Sequence, residues 1–243
     1  KFLSSQWKEF LESNFAKDFD DIAIETLEIA KEIWNLATLV ITTNYDNVLT
    51  WATDDKNLVT WDKKAIAGQV DSLKELPAKK TLWHLHGRID NLDDIVLTSK
   101  SYEDVYDKES GAIEVLKSHM TTKSFIFFGF SLDDVYLREQ LKKIHTLFEG
   151  NSGPHFVVLK EGREKDLSEF GDIRPLYIKD YNEDYLKVVK SLVALKKDES
   201  KESVEIDSKE TVVIKEEVLN ENIIPFNVPF RSKGNGAIGI EDK

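Results

Sequence analysis

Three short runs in this chain end apolar stretches in groups that do chemistry. Leu39-Val-Ile-Thr-Thr-Asn-Tyr-Asp46 is a β-branched run that stops on a carboxamide and a carboxylate. Polar groups at that place fall on the carboxyl edge of a sheet, where open α/β sheets bind their ligands. Thr81-Leu-Trp-His-Leu-His86 alternates as a strand and runs into Gly87, so His84 and His86 share one face and Trp83 and Leu85 the other. A histidine at a strand end followed by glycine suits a general base: its pKa lies near neutrality and the small neighbour lets a substrate approach. Ser124-Phe-Ile-Phe-Phe-Gly129 is followed by Phe130 and Ser131. A glycine and a hydroxyl between a strand and a helix can cradle a nucleotide with backbone amides.

Each cluster also has a plainer reading. Asn44 and Asp46 can form a turn with an Asx helix cap, His84 and His86 can be core or surface histidines, and Gly129 with Ser131 can be turn and cap. A metal pair at His84 and His86 lacks a third ligand at a recognisable spacing, and the chain has no cysteine, so no metal is expected. The glycines around Gly129 do not form G-x-G-x-x-G, and no Walker lysine follows.

These clusters require a frame of strands and helices. Apolar residues Phe10, Leu11 and Phe15, then Ile22, Leu27, Ile29, Ile33, Trp34 and Leu36, recur at three- and four-residue steps and predict amphipathic helices. Leu39–Ile41 is a strand, and Asp46 or Asn47 caps a helix beginning at Val48. Residues 54–80, punctuated by Gly68 and Pro77, are expected to leave the sheet as a small helical insertion that walls one side of a cleft. Ile95–Thr98 is a further short strand. A helix capped by Ser99 or Ser101 carries Tyr102, Val105 and Tyr106, and another covers 113–120. Ser124–Gly129 is the best candidate for a central strand, because it is apolar on both faces. Ser131–Asp134 starts a helix that continues over 136–148. His155–Lys160 and Arg174–Lys179 are strands, and 185–197 is the closing helix. This alternation predicts an α/β fold: a Rossmann-like, mostly parallel sheet covered by helices on both faces.

The 243 residues accommodate one large domain with an appendage, read as 1–197 and 198–243. From Asp198 to Glu221 nine acids stand against three bases. Val212-Val-Ile214 interrupts them, and Ile223-Ile-Pro-Phe-Asn-Val-Pro-Phe230 follows. This reads as an acidic, then proline-containing linker whose apolar residues dock on a neighbour. A chain that begins at Lys1 directly in a helical pattern and ends just past Gly236-Ala-Ile-Gly239 reads as part of a longer protein. The net charge of −12 disfavours a surface built to neutralise phosphate backbones, so direct nucleic-acid binding is not expected. Neither a membrane span nor a signal peptide is legible, and the protein reads as cytoplasmic.

In order and at nearly equal intervals, Thr43-Asn-Tyr-Asp46, His86-Gly87 and Gly129-Phe-Ser131 resemble the motif series of sirtuins. More closely, Thr-Asn-Tyr-Asp, Leu-His-Gly and Gly-Phe-Ser-Leu-Asp-Asp are similar to the zinc-free sirtuin-like NADase domains of bacterial antiphage defence proteins. The resemblance covers about Leu39–Leu195. It implies that Asn44 holds the nicotinamide ribose and a water, that Asp46 orients nicotinamide or the developing cation, and that His86 is the general base. Thr43, Tyr45, Gly129, Phe130 and Ser131 would then contact the cofactor, with NAD as substrate and no metal. Cleaving an N-glycosidic bond to a pyridinium creates an oxocarbenium-like centre that a carboxylate and amide dipoles stabilise.

Two departures from sirtuins shape the expectation. Nothing before Leu39 matches their Gly-Ala-Gly phosphate loop. The four cysteines of their zinc ribbon are absent, which favours water over acyl-lysine as the acceptor. The expected function is NAD hydrolysis to nicotinamide and ADP-ribose by the effector of an antiphage system. It would be held as a homo-oligomer by the parent protein, and the tail resembles the entry into the NTPase module of a STAND-type sensor, though a plain linker to any domain fits it too. The alternatives are a noncatalytic module sensing NAD or ADP-ribose, or a deacylase or ADP-ribosyltransferase.

Overall fold

The computed structural model describes residues 5–15, 18–61, 79–106, 111–129, 135–147, 152–162, 166–202 and 223–226. Its strands are β1 (Leu39–Thr42), β2 (Val59–Trp61), β3 (Thr81–His84), β4 (Ser124–Phe127), β5 (His155–Lys160), β6 (Ile173–Ile178) and β7 (Ile223–Phe226). The helices are α1 (Ser5–Phe15), α2 (Ile24–Leu36), α3 (Val48–Trp51), α4 (Ser99–Tyr106), α5 (Gly111–Thr122), α6 (Val135–Leu147) and α7 (Tyr181–Glu202). The seven strands form one sheet in the order β2-β3-β1-β7-β4-β5-β6, and every pairing is parallel.

Alternation within the strands divides the core into two layers. Leu39, Ile41, Trp83, Phe125, Phe127, Val157 and Leu159 face α4, α5 and α6, where Val105, Ile113, Leu116, Met120 and Leu141 meet them. Val40, Leu82, Ile126, Phe128, Phe156 and Val158 face the other way, onto Ile33 and Trp34 of α2, Val48 and Leu49 of α3, and Tyr185, Val189 and Val193 of α7. Because both faces are covered, β1 and β4 carry almost no polar residue, as expected of a parallel sheet. The Trp34 indole donates to the Leu49 carbonyl at 2.8 Å, which fixes α3 on α2.

Several sequence expectations are corrected. β3 stops at His84 instead of reaching His86, because a turn closes from Gly87 N–H to the His84 carbonyl at 3.2 Å. Residues 95–98 are not a strand; Val96 makes a single strand-like bond, from its amide to the His86 carbonyl at 2.9 Å. Helix α4 is capped by Thr98, not Ser99: the Ser101 amide donates to Thr98 Oγ1 at 3.2 Å, and the Thr98 amide donates to Ser101 Oγ at 2.8 Å. Within 54–80, Val59–Trp61 pairs with β3 as an edge strand, so this stretch does not leave the sheet entirely. The helical part of that expectation, at 62–78, lies outside the described residues, as do Val212–Ile214. Ile223–Phe226, read from sequence as linker, lies in the sheet between β1 and β4, with Ile41 opposite Phe226 and Phe127 likewise.

From β1 the chain moves outward to β2 and β3, then returns across the sheet to β4 and continues outward to β5 and β6. The reversal lies between β1 and β4. Such a switch point, at the carboxyl ends of the strands, is where open α/β sheets leave a crevice.

Candidate active site

Because all strands run parallel, the residues after β1, β3 and β4 emerge on one edge. Beyond Thr42 the ladder gives way to local bonds from side chains. Thr42 Oγ1 accepts from the Asn44 amide at 3.0 Å, and Asp46 Oδ1 accepts from the Val48 amide at 3.0 Å, starting α3. Asp46 therefore does the work of the helix cap. Burial raises its carboxyl above the usual range, and the bonds from the Val48 and Asp46 amides oppose that rise.

The loop after β1 is tied to the end of β3 and the loop that follows it at four places. The His84 ring approaches the Asn44 carbonyl with Nδ1 at 3.2 Å. The Tyr45 hydroxyl donates to the Val96 carbonyl at 2.7 Å, and the Tyr45 carbonyl accepts from Ile89 at 2.8 Å. Asn47 Nδ2 donates to Asp90 Oδ1 at 3.1 Å. Helix α1 covers this junction: Leu11 packs on Ile89 and Ile95, with Tyr45, Leu92 and Leu97 beside them, and Lys8 pairs with Asp93 at 3.1 Å. Tyr45 is thus a strut between the loops. Asn44 and Thr43 are half-buried.

His86 follows β3 by two residues and is 2% exposed. Its ring meets Tyr102 of α4 edge-on, with centroids 5.0 Å apart. Burial lowers its pKa to about 4, which corrects the near-neutral value expected from sequence; the imidazole is neutral at physiological pH. His84 and His86 do not act as a pair, since one turns to Asn44 and the other to Tyr102. Gly87 adopts φ +86°, and a Cβ there would lie 2.6 Å from the Asp94 carbonyl oxygen, so glycine is required for the loop to fold back under His86.

At the end of β4, Gly129 has φ +62° and its amide donates to the Tyr185 hydroxyl. That amide is engaged within the fold. Phe130 and Ser131 lie outside the described residues. Among the described residues no cluster of three or more histidines and carboxylates could hold a metal, and no helix is long and apolar enough to cross a membrane.

Tyr102 and Tyr185 escaped the sequence reading. Both sit on helices whose apolar periodicity accounts for them as core, and neither adjoins a motif. Only the tertiary contact reveals them.

The spacing of the three clusters acquires a family with a comparison to known proteins: residues 38–186 match the family described as the SIR2-like domain. The chain belongs to this family. The match begins just before β1 and ends within α7, so the SIR2-like domain contains the whole edge described above.

Curated relatives of this SIR2-like domain share its sequence at moderate identity. It is 31% identical over 143 residues to the NAD(+) hydrolase ThsA of Enterococcus faecium, covering 56% of this chain and 29% of that protein. It is 25% identical over 162 residues to the NAD(+) hydrolase ThsA of Bacillus cereus, covering 58% and 33%. A third, the NAD(+) hydrolase ThsA of Acinetobacter baumannii, is 27% identical over 131 residues, covering 54% and 27%. The chain spans a third or less of the length of these relatives.

Proposed function

We propose that this SIR2-like domain hydrolyses NAD to nicotinamide and ADP-ribose. The observation that carries the proposal is that Asn44 and His86 each lie two residues beyond the last pair, Thr42 and His84, of adjacent parallel strands, with Asn44 held by His84, in a chain whose relatives are named NAD(+) hydrolases. Cleavage of the glycosidic bond sends its electron pair to the nicotinamide nitrogen and leaves positive charge on the ribose carbon. Asn44 holds the ribose and an attacking water, and Asp46 faces the developing cation. The water forms the new C–O bond, and its proton passes to His86 and then to solvent.

A pKa of about 4 keeps the His86 lone pair available but makes it a weak base. Gly129, Phe130 and Ser131 take the adenosine ribose and phosphates, and Thr43 and Tyr45 line the approach. On the same reading the domain is the cytoplasmic effector of an antiphage system. The parent protein assembles it as an oligomer through a C-terminal NTPase or sensor domain.

A second reading is a noncatalytic module that senses NAD or ADP-ribose. The burial and low basicity of His86 favour it. One experiment separates the two: incubate the full-length protein with NAD and follow nicotinamide release for wild type, Asn44→Ala and His86→Ala. Hydrolysis predicts release by wild type and at least a hundredfold loss in each variant. Absence of release under every activating condition, with ADP-ribose binding retained, leaves the sensing module.

A further inference from the structure

We propose that His84 is a positioning residue for Asn44, resting on the reading that Asn44 acts on the substrate. The β1–β3 ladder ends at the pair Thr42 and His84, so Asn44 lies beyond the reach of strand pairing. Two side chains replace the missing ladder. Thr42 Oγ1 takes the Asn44 amide at 3.0 Å, and His84 Nδ1 meets the Asn44 carbonyl at 3.2 Å. Both backbone groups of Asn44 are thereby held by the side chains of the last ladder pair.

The chemistry of this contact fixes the state of the ring. A carbonyl oxygen only accepts, so Nδ1 carries the proton and Nε2 carries the lone pair in the neutral imidazole. His84 is 1% exposed, and its Nε2 has no partner among the described residues. What histidine supplies here is a donor one bond beyond Cγ, aimed at Asn44. Held at both backbone atoms, the Asn44 carboxamide starts from a fixed Cα, which a site that orients water against a ribose carbon requires.

The test compares two polar substitutions in the full-length protein. The Asn side-chain amide occupies the place of Nδ1, while that of Gln reaches the place of Nε2. His84→Asn should retain nicotinamide release within about threefold of wild type, and His84→Gln should lower kcat at least tenfold while KM for NAD stays within about threefold. Thermal unfolding monitors folding of both. A role in packing alone predicts the reverse order, because Gln is closer to His in volume, and that order overturns the proposal. Equal kcat in His84→Gln and wild type also overturns it. A wild type that releases no nicotinamide overturns the hydrolase reading as well, so the two failures differ.

Discussion

The Gly129 amide donates to the Tyr185 hydroxyl and ties the end of β4 to α7, across the layer formed by Phe128 and Ile126. Burial raises the Tyr185 pKa, so its hydroxyl stays neutral and can serve this amide at any physiological pH. Tyr185→Phe keeps the ring and leaves the Gly129 N–H without that acceptor. The expected loss is about 1–3 kcal/mol, measured as a lower urea midpoint with an unchanged slope. An unchanged midpoint would show that the hydroxyl holds nothing.

Gly87 and Gly162 both have positive φ, at +86° and +79°. They differ in surroundings: a Cβ at Gly87 meets the Asp94 carbonyl at 2.6 Å, while one at Gly162 meets nothing within 4 Å. Gly162→Ala therefore measures backbone strain by itself, about 1 kcal/mol. Gly87→Ala adds a clash with backbone that cannot step aside without moving the His86 loop. It should cost clearly more stability than Gly162→Ala in chemical denaturation and reduce nicotinamide release at least tenfold. Equal costs for the two variants would contradict the clash.

Much of the frame was legible because its signals are local. The runs at Leu39–Ile41 and Phe125–Phe128 are apolar at consecutive positions, which suits strands buried on both faces. The Asn44, His86 and Gly129 edge was legible because each cluster ends a strand-like run, consecutive apolar for Asn44 and Gly129 and alternating for His86. What escaped depends on distance in sequence. Nothing near Tyr102 or Tyr185 indicates that one meets His86 and the other Gly129. The place of Ile223–Phe226 was equally hidden: its two central-strand neighbours are about a hundred residues or more away, and Pro225 within it is unusual in an inner strand. The low pKa of His86 follows from its burial in the loop after β3, beside Tyr102 of α4, which the alternation of Thr81–His86 does not report.

Four histidines, His84, His86, His119 and His155, have pKa values lowered to about 4, each chiefly by burial. Both ring nitrogens of His119 lack a partner among the described residues. In the unfolded chain these groups titrate near 6.5. Between those values the unfolded state binds more protons, so their contribution is fully present above about pH 6.5 and is lost as pH falls toward 4. Each histidine accounts for about 1–3 kcal/mol of that fall. Urea midpoints should be level from pH 7 to 8 and decline steadily below 6.5. A flat profile down to pH 5 would mean that these side chains are hydrated in solution.

Asp46 combines a structural and a proposed chemical duty, and two substitutions separate them. Its Oδ1 caps α3 through the Val48 amide. Asp46→Asn retains an oxygen in that position, so stability should stay within about 0.5 kcal/mol of wild type. Asp46→Ala removes the acceptor and should cost about 1 kcal/mol. If the carboxylate stabilises positive charge on the ribose, nicotinamide release should fall at least tenfold in both variants, because the amide carries no charge. If Asp46 serves only as the cap, Asp46→Asn should turn over like wild type and Asp46→Ala should lose activity no faster than it loses folded protein. The raised pKa sharpens the pH readout. A carboxyl that burial holds above its usual range must be ionised to act on the cation. Turnover by wild type should therefore drop on the acid side at a pH above that expected for an exposed aspartate, and the Asp46→Asn profile should lack that drop.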